Sequence, residues 1–200
     1  MLGGWPLTDR ATFDAIVALV RETDRAAAIL ACVLLEDHLE RKLQRDLRHS
    51  DLFETLFGVG RPLNFFGAQN QLAYLMKIYG KPFYRELETI GSIRNKFAHL
   101  YSDKEGRFIK GFKSSVIAKL CGQLSLIEPL LEKELERKKI VSGDRRGLEM
   151  KEAEVKRILD DPKRKYLETC ALCASALKGS LDSRIREAIW ADTFPPPDFI

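Results

Sequence analysis

Apolar positions recur along this chain with the helical period almost from end to end. Phe13, Ile16, Val17 and Val20 stand at i, i+3, i+4 and i+7, an amphipathic stripe, with Thr8 as a predicted N-cap. Thr23 is placed to cap a long second helix, "DRAAAILACVLLEDHLERKLQRDLRH", whose first half is apolar almost all round. Such a helix belongs at the centre of a bundle or in an oligomer interface. A glycine- and proline-containing loop, "DLFETLFGVGRPL", follows. A third helix is expected over residues 64–79, with Leu72, Leu75, Met76 and Tyr79 on one side and Gly80 as its left-handed stop. Pro82 suits the first turn of a fourth helix, which gathers Leu87, Ile90, Ile93, Phe97, Leu100 and Tyr101 on its apolar face.

"SSVIAKLCGQLSLIEPLLEKELERKK" keeps the helical period, with a kink expected at Pro129. "VSGDRRG" reads as a linker. Beyond it lie a short helix at 151–159, a helix opened by Asp161 and Pro162 and stopped by Gly179, and a last one at 182–191. The tail "DTFPPPDFI" is proline-rich and expected to be extended. No strand alternation is evident outside the ambiguous "GRFIKGF". The fold expected is all-α: an antiparallel helical bundle over residues 1–141, with a helical extension and proline-rich tail over 142–200.

Composition adds little to that picture. The 33 basic and 29 acidic residues leave +4, too weak a balance to indicate nucleic acid. No apolar run is long enough for a membrane span, and the N-terminus does not resemble a signal peptide. Four cysteines in apolar settings fit reduced thiols in the cytoplasm. Cys170 and Cys173 share one apolar face with Tyr166 and Leu177, so core packing outweighs half a zinc site, and no metal or cofactor is expected.

Two helix stripes carry a misplaced charge. Glu36 lies in the stripe of the second helix with Glu40 at its edge, and Arg94 lies in the stripe of the fourth. A buried charge without a partner costs several kcal/mol, on the order of 3–5. An ion pair of Arg94 with Glu36, or failing that Glu40, is therefore expected. The same fourth helix carries "RNKFAH". Asn95 and His99 are i, i+4 neighbours, while Arg94 and His99 are about 140° apart on an ideal helix. A neutral imidazole takes a proton from a ribose 2′-hydroxyl, and a guanidinium stabilises phosphate charge. The bland alternative for His99 is a helix-end residue that caps carbonyls. His49 suits that role at the end of the second helix, on which His38 also lies. Phe108, Lys110, Phe112 and Lys113, just beyond the motif, combine stacking rings with charge and are the best candidates for an RNA-facing edge, the alternative being a loop whose aromatics cover the bundle end. "PKRK" puts cations at a helix start, which an anionic partner would explain and chance on a solvated face would explain as well.

The blocks "DRAAAILACVLLEDHLERKL", "GRPLNFFGAQNQLAYLMKIYG" and "LETIGSIRNKFAHLYSDKEGRF", spanning about residues 24–108, resemble the mannitol operon repressor-like family. That resemblance implies an all-α bacterial regulator. No helix-turn-helix or basic recognition helix accompanies it, so action through protein–protein contacts, as a homodimer with a further protein partner, is the expectation. The R-N-x-x-x-H string is also similar to the motif of HEPN domains, many of which are dimeric ribonucleases. That second resemblance implies a metal-independent ribonuclease or toxin whose site would be Arg94, Asn95 and His99 of both chains.

Overall fold

The computed structural model describes residues 10–47, 52, 55–99, 111–141 and 145–179 of the 200. Among these, eight helices are present and no strand. They are α1 (Arg10–Val20), α2 (Asp24–Asp46), α3 (Phe66–Leu75), α4 (Lys81–Ala98), α5 (Ser115–Gly122), α6 (Ile127–Val141), α7 (Arg145–Asp160) and α8 (Pro162–Lys178). The chain is an all-α helical bundle. No helix among the described residues is long and apolar enough to cross a membrane. Thr8, His49, Phe108, Lys110, the ambiguous strand at 106–110, the helix at 182–191 and the proline-rich tail lie outside the described residues.

Local chemistry sets the helix ends. Thr23 accepts from the Ala26 amide at 3.3 Å, as its position before α2 suggests. Asp161 accepts from the amides of Lys163 (2.9 Å) and Arg164 (3.3 Å), with Pro162 in the first turn, and Gly179 closes α8 in the left-handed region at φ 76°. Gly80 does not end α3: Lys77, at φ 57°, takes the left-handed turn, and Gly80 is extended (φ −84°, ψ 175°) immediately before α4. The expected third helix is shorter than its apolar pattern, and Leu75 at its end faces solvent. Pro129 does not kink a long helix either. The chain breaks earlier, between Gly122 and Ile127, and Pro129 falls in the first turn of α6, where its missing N–H costs nothing.

The largest departure concerns the C-terminal extension. Of the linker expected at 141–147, the described residues 141 and 145–147 are helical, and α8 is no appendage. It packs most extensively against α2 and also meets α1, α4, α5, α6 and α7. Tyr166, Leu167, Cys170, Leu172, Cys173 and Leu177 are all buried in one continuous core with Leu35, Leu39 and Leu43 of α2 and Leu87, Ile90 and Ile93 of α4. Each such aliphatic side chain contributes on the order of 1.5–3 kcal/mol by leaving water. The Tyr166 hydroxyl donates to the Ala28 carbonyl at 2.8 Å, which ties α8 to α2 through a buried polar contact. All four cysteines are buried. Among the described residues, no cluster of His, Cys, Asp and Glu is suited to a metal.

Candidate functional site

α2 and α4 run side by side and carry the two stripe charges. Arg94 Nη2 lies 3.6 Å from Glu36 Oε2. The pair is not sealed: the side chains keep 27% and 24% of their exposure. The expected pair is present, and the guanidinium is only partly embedded because its edge opens onto a groove at the start of α3. Partial burial raises the Glu36 carboxyl above its ordinary range; Arg94 pulls it back, and neighbouring Glu40 adds to the rise. Glu40 thus acts on the pair electrostatically, and Glu36 is the residue in contact. Cys32 is pushed up to about 11 by burial, and Arg94 opposes the rise.

Asn95 does not orient the imidazole. Its Oδ1 accepts from Arg94 Nη1 at 3.2 Å, so the guanidinium is held by Glu36 on one side and Asn95 on the other. Arg94 and Asn95 line one wall of a groove of about 270 Å³, faced by Phe65, Phe66 and Gln71 around the start of α3. His99 is not part of that lining. It lies just past the end of α4 at φ −97°, ψ 19°, exposed, with its backbone N–H donating to the Asn95 carbonyl at 3.0 Å. Among the described residues its ring has no hydrogen-bond or ion-pair partner. Carbonyl capping at this helix end falls to Arg25 of α2, whose Nη2 donates to Ala98 O at 3.1 Å. Sequence reasoning missed Arg25, since nothing in its local pattern says that it reaches α4. The capping role offered for His99 is thereby filled by another side chain. Within one chain Arg94 stands on α4 and His99 one residue past its end, so the two are five positions apart around the helix end rather than stacked on one face.

The segment beyond the motif is different from its sequence reading. Phe112 is withdrawn from any RNA-facing edge: it is 1% exposed and packs between Phe97 and Tyr166, with ring centroids 4.9 and 5.3 Å away. Its amide donates to Asp24 Oδ2 at 2.9 Å, and a side chain on Gly111 would collide with that same carboxylate. Lys113 is the exposed member. "PKRK" is likewise used internally. Lys163 reaches Asp24 (3.2 Å) and the Glu22 carbonyl (2.7 Å), Arg164 reaches Glu154 (3.4 Å), and Lys165 is buried.

A second feature went unread in the sequence. Glu86 of α4 is 2% exposed, and its two oxygens accept from the amides of Ser125 and Leu126, each at 3.2 Å, at the start of α6. Burial raises its carboxyl above the ordinary range, and the two amides and Lys165 oppose that rise. The only sequence signal was a glutamate one position before Leu87 on the apolar face.

In comparisons with protein-family models, curated proteins and solved structures, nothing matches this chain.

Proposed function

We propose that this chain is a regulatory protein that acts through protein–protein contacts, self-association among them. The observation that carries the reading is the outer face of α2. Leu30 and Val33 are 46% and 49% exposed there, one turn apart, beside half-buried Ile29 and Leu34. Isolated exposed aliphatics are ordinary; a pair continuous with further apolar surface on the bundle's central helix suits a partner. The resemblance of residues 24–108 to the mannitol operon repressor-like family points the same way. In this reading Arg94 is a register clamp between α2 and α4. Sedimentation or light scattering at micromolar concentration tests it: a dimer is expected, and Leu30→Asp with Val33→Asp should give a folded monomer. A wild type that is monomeric and recovers no partner from cells would overturn it.

One observation favours a second reading, a HEPN-type metal-independent ribonuclease. His99 is solvent-exposed and has no partner among the described residues, while Arg94 keeps an edge open to a groove. In a dimer the imidazole of one chain would take the ribose 2′-hydroxyl proton. The 2′-oxygen would then attack phosphorus and the 5′-oxygen would leave, giving a cyclic phosphate, with Arg94 stabilising the charge that develops. Arg94→Ala and His99→Ala should each abolish cleavage with the fold intact. Cleavage that survives His99→Ala would exclude this reading.

A further inference from the structure

A second groove lies on the other side of α4, against the α5–α6 junction, with a volume of about 710 Å³. Lys81, Arg85, Glu88, Thr89 and Ser92 form one wall, and Gln123 and Ser125 face them. From Lys81 to Ser92 the helical rise gives a wall about 16 Å long, the reach of about five extended residues.

The charges on this wall are unequally committed. Glu86 at the floor spends both oxygens on the Ser125 and Leu126 amides. Glu88 accepts from the Tyr84 hydroxyl at 2.7 Å. Among the described residues, Lys81 and Arg85 have no carboxylate partner, and both are exposed. They stand i, i+4, about 6 Å apart along the helix, and Lys81 lies in the first turn of α4, where the helix field disfavours a cation. An acidic occupant relieves that local repulsion, and the hydroxyls and amide along the rest of the groove offer hydrogen bonds to a peptide backbone.

We propose that this groove takes an acidic, extended peptide segment of a partner protein, its carboxylates meeting Lys81 and Arg85. The inference rests on the protein-contact reading and supplies the kind of partner, but on a different face from Leu30 and Val33.

The test is a displayed random-peptide library selected on the full chain, followed by titration of the enriched peptides. Enriched sequences should be acidic. Their affinity should fall as salt rises, and by roughly tenfold or more in the Lys81→Glu, Arg85→Glu double variant, since two exposed ion pairs become repulsions. That variant should keep its fold, because both side chains are exposed. Amide resonances of Thr89, Ser92 and Gln123 should shift on titration. Enrichment without acidic preference, no enrichment, or unchanged affinity in the double variant each overturns the proposal. So does binding lost in Leu30→Asp and kept in the double variant, because the peptide then sits on α2. Failure of this groove leaves the oligomeric state unaffected, so the two readings fail separately.

Discussion

Glu36 and Glu86 are two carboxylates placed on the apolar side of bundle helices, and the bundle resolves them differently. Glu36 meets a guanidinium at 3.6 Å in a seam that stays partly wet. Glu86 is sealed, and it is met by two backbone amides at the start of another helix. The first is a side-chain pair whose partner is visible in the sequence as a second misplaced charge. The second is a cap delivered from outside its own helix. It satisfies donors at the entry to α6 that would otherwise be left orphaned. A buried carboxylate thus contributes to this fold by holding backbone, while a half-exposed one holds register and leaves its cation available.

The difference is open to attack in order of size. Glu86→Leu should cost the most, about 3 kcal/mol, since it strips two backbone amides of their acceptor and removes the carboxylate whose charge Lys165 feels. Urea denaturation measures it, and a loss under ~1 kcal/mol would mean that Glu86 is no bolt. Tyr166→Phe should cost about 1 kcal/mol by the same assay, because one buried hydrogen bond is lost while the ring's packing stays.

Glu168, half-buried on α8 and pushed up to about 7 by burial, sharpens the comparison through pH. Its folded pKa is raised, so the native state binds the extra proton. Its contribution is complete below the unfolded carboxyl range and is lost as pH rises through about 7. Glu86 and Glu36 are raised too and act in the same direction. Thermal stability should therefore carry a component that falls between the unfolded carboxyl range and neutrality. Glu168→Gln should flatten it by up to about 1.4 kcal/mol per pH unit. An unchanged slope in that variant would remove Glu168 from the account. The smallest effect belongs to Arg94 and Glu36. A double-mutant cycle with Arg94→Leu and Glu36→Gln should return a coupling under ~1 kcal/mol, as half-exposed pairs do. A coupling as large as the Glu86 loss would erase the contrast between the two carboxylates.

Much of the candidate site was legible before folding. The stripe positions of Glu36 and Arg94 pointed to each other, and the R-N-x-x-x-H string placed His99 at a helix end. Asn95's turn toward Arg94, and Arg25's capping of Ala98, were not legible, because both depend on where neighbouring side chains reach in space. Phe112 misled for the same reason: an aromatic beside lysines reads as a surface edge until Phe97 and Tyr166 are seen to enclose it.

What the chain's own pattern determined is the helical class, the apolar faces of α2 and α4, and the caps at Thr23, Asp161 and Gly179, since periodicity and capping are local and act within a few residues. What the tertiary structure alone decided is the burial of α8 at the centre, the locking of α6 by Glu86, and the partial opening around Arg94. Those outcomes depend on which apolar face meets which, and on backbone groups far away in sequence. The linear pattern marks a face as needing cover and leaves open what covers it.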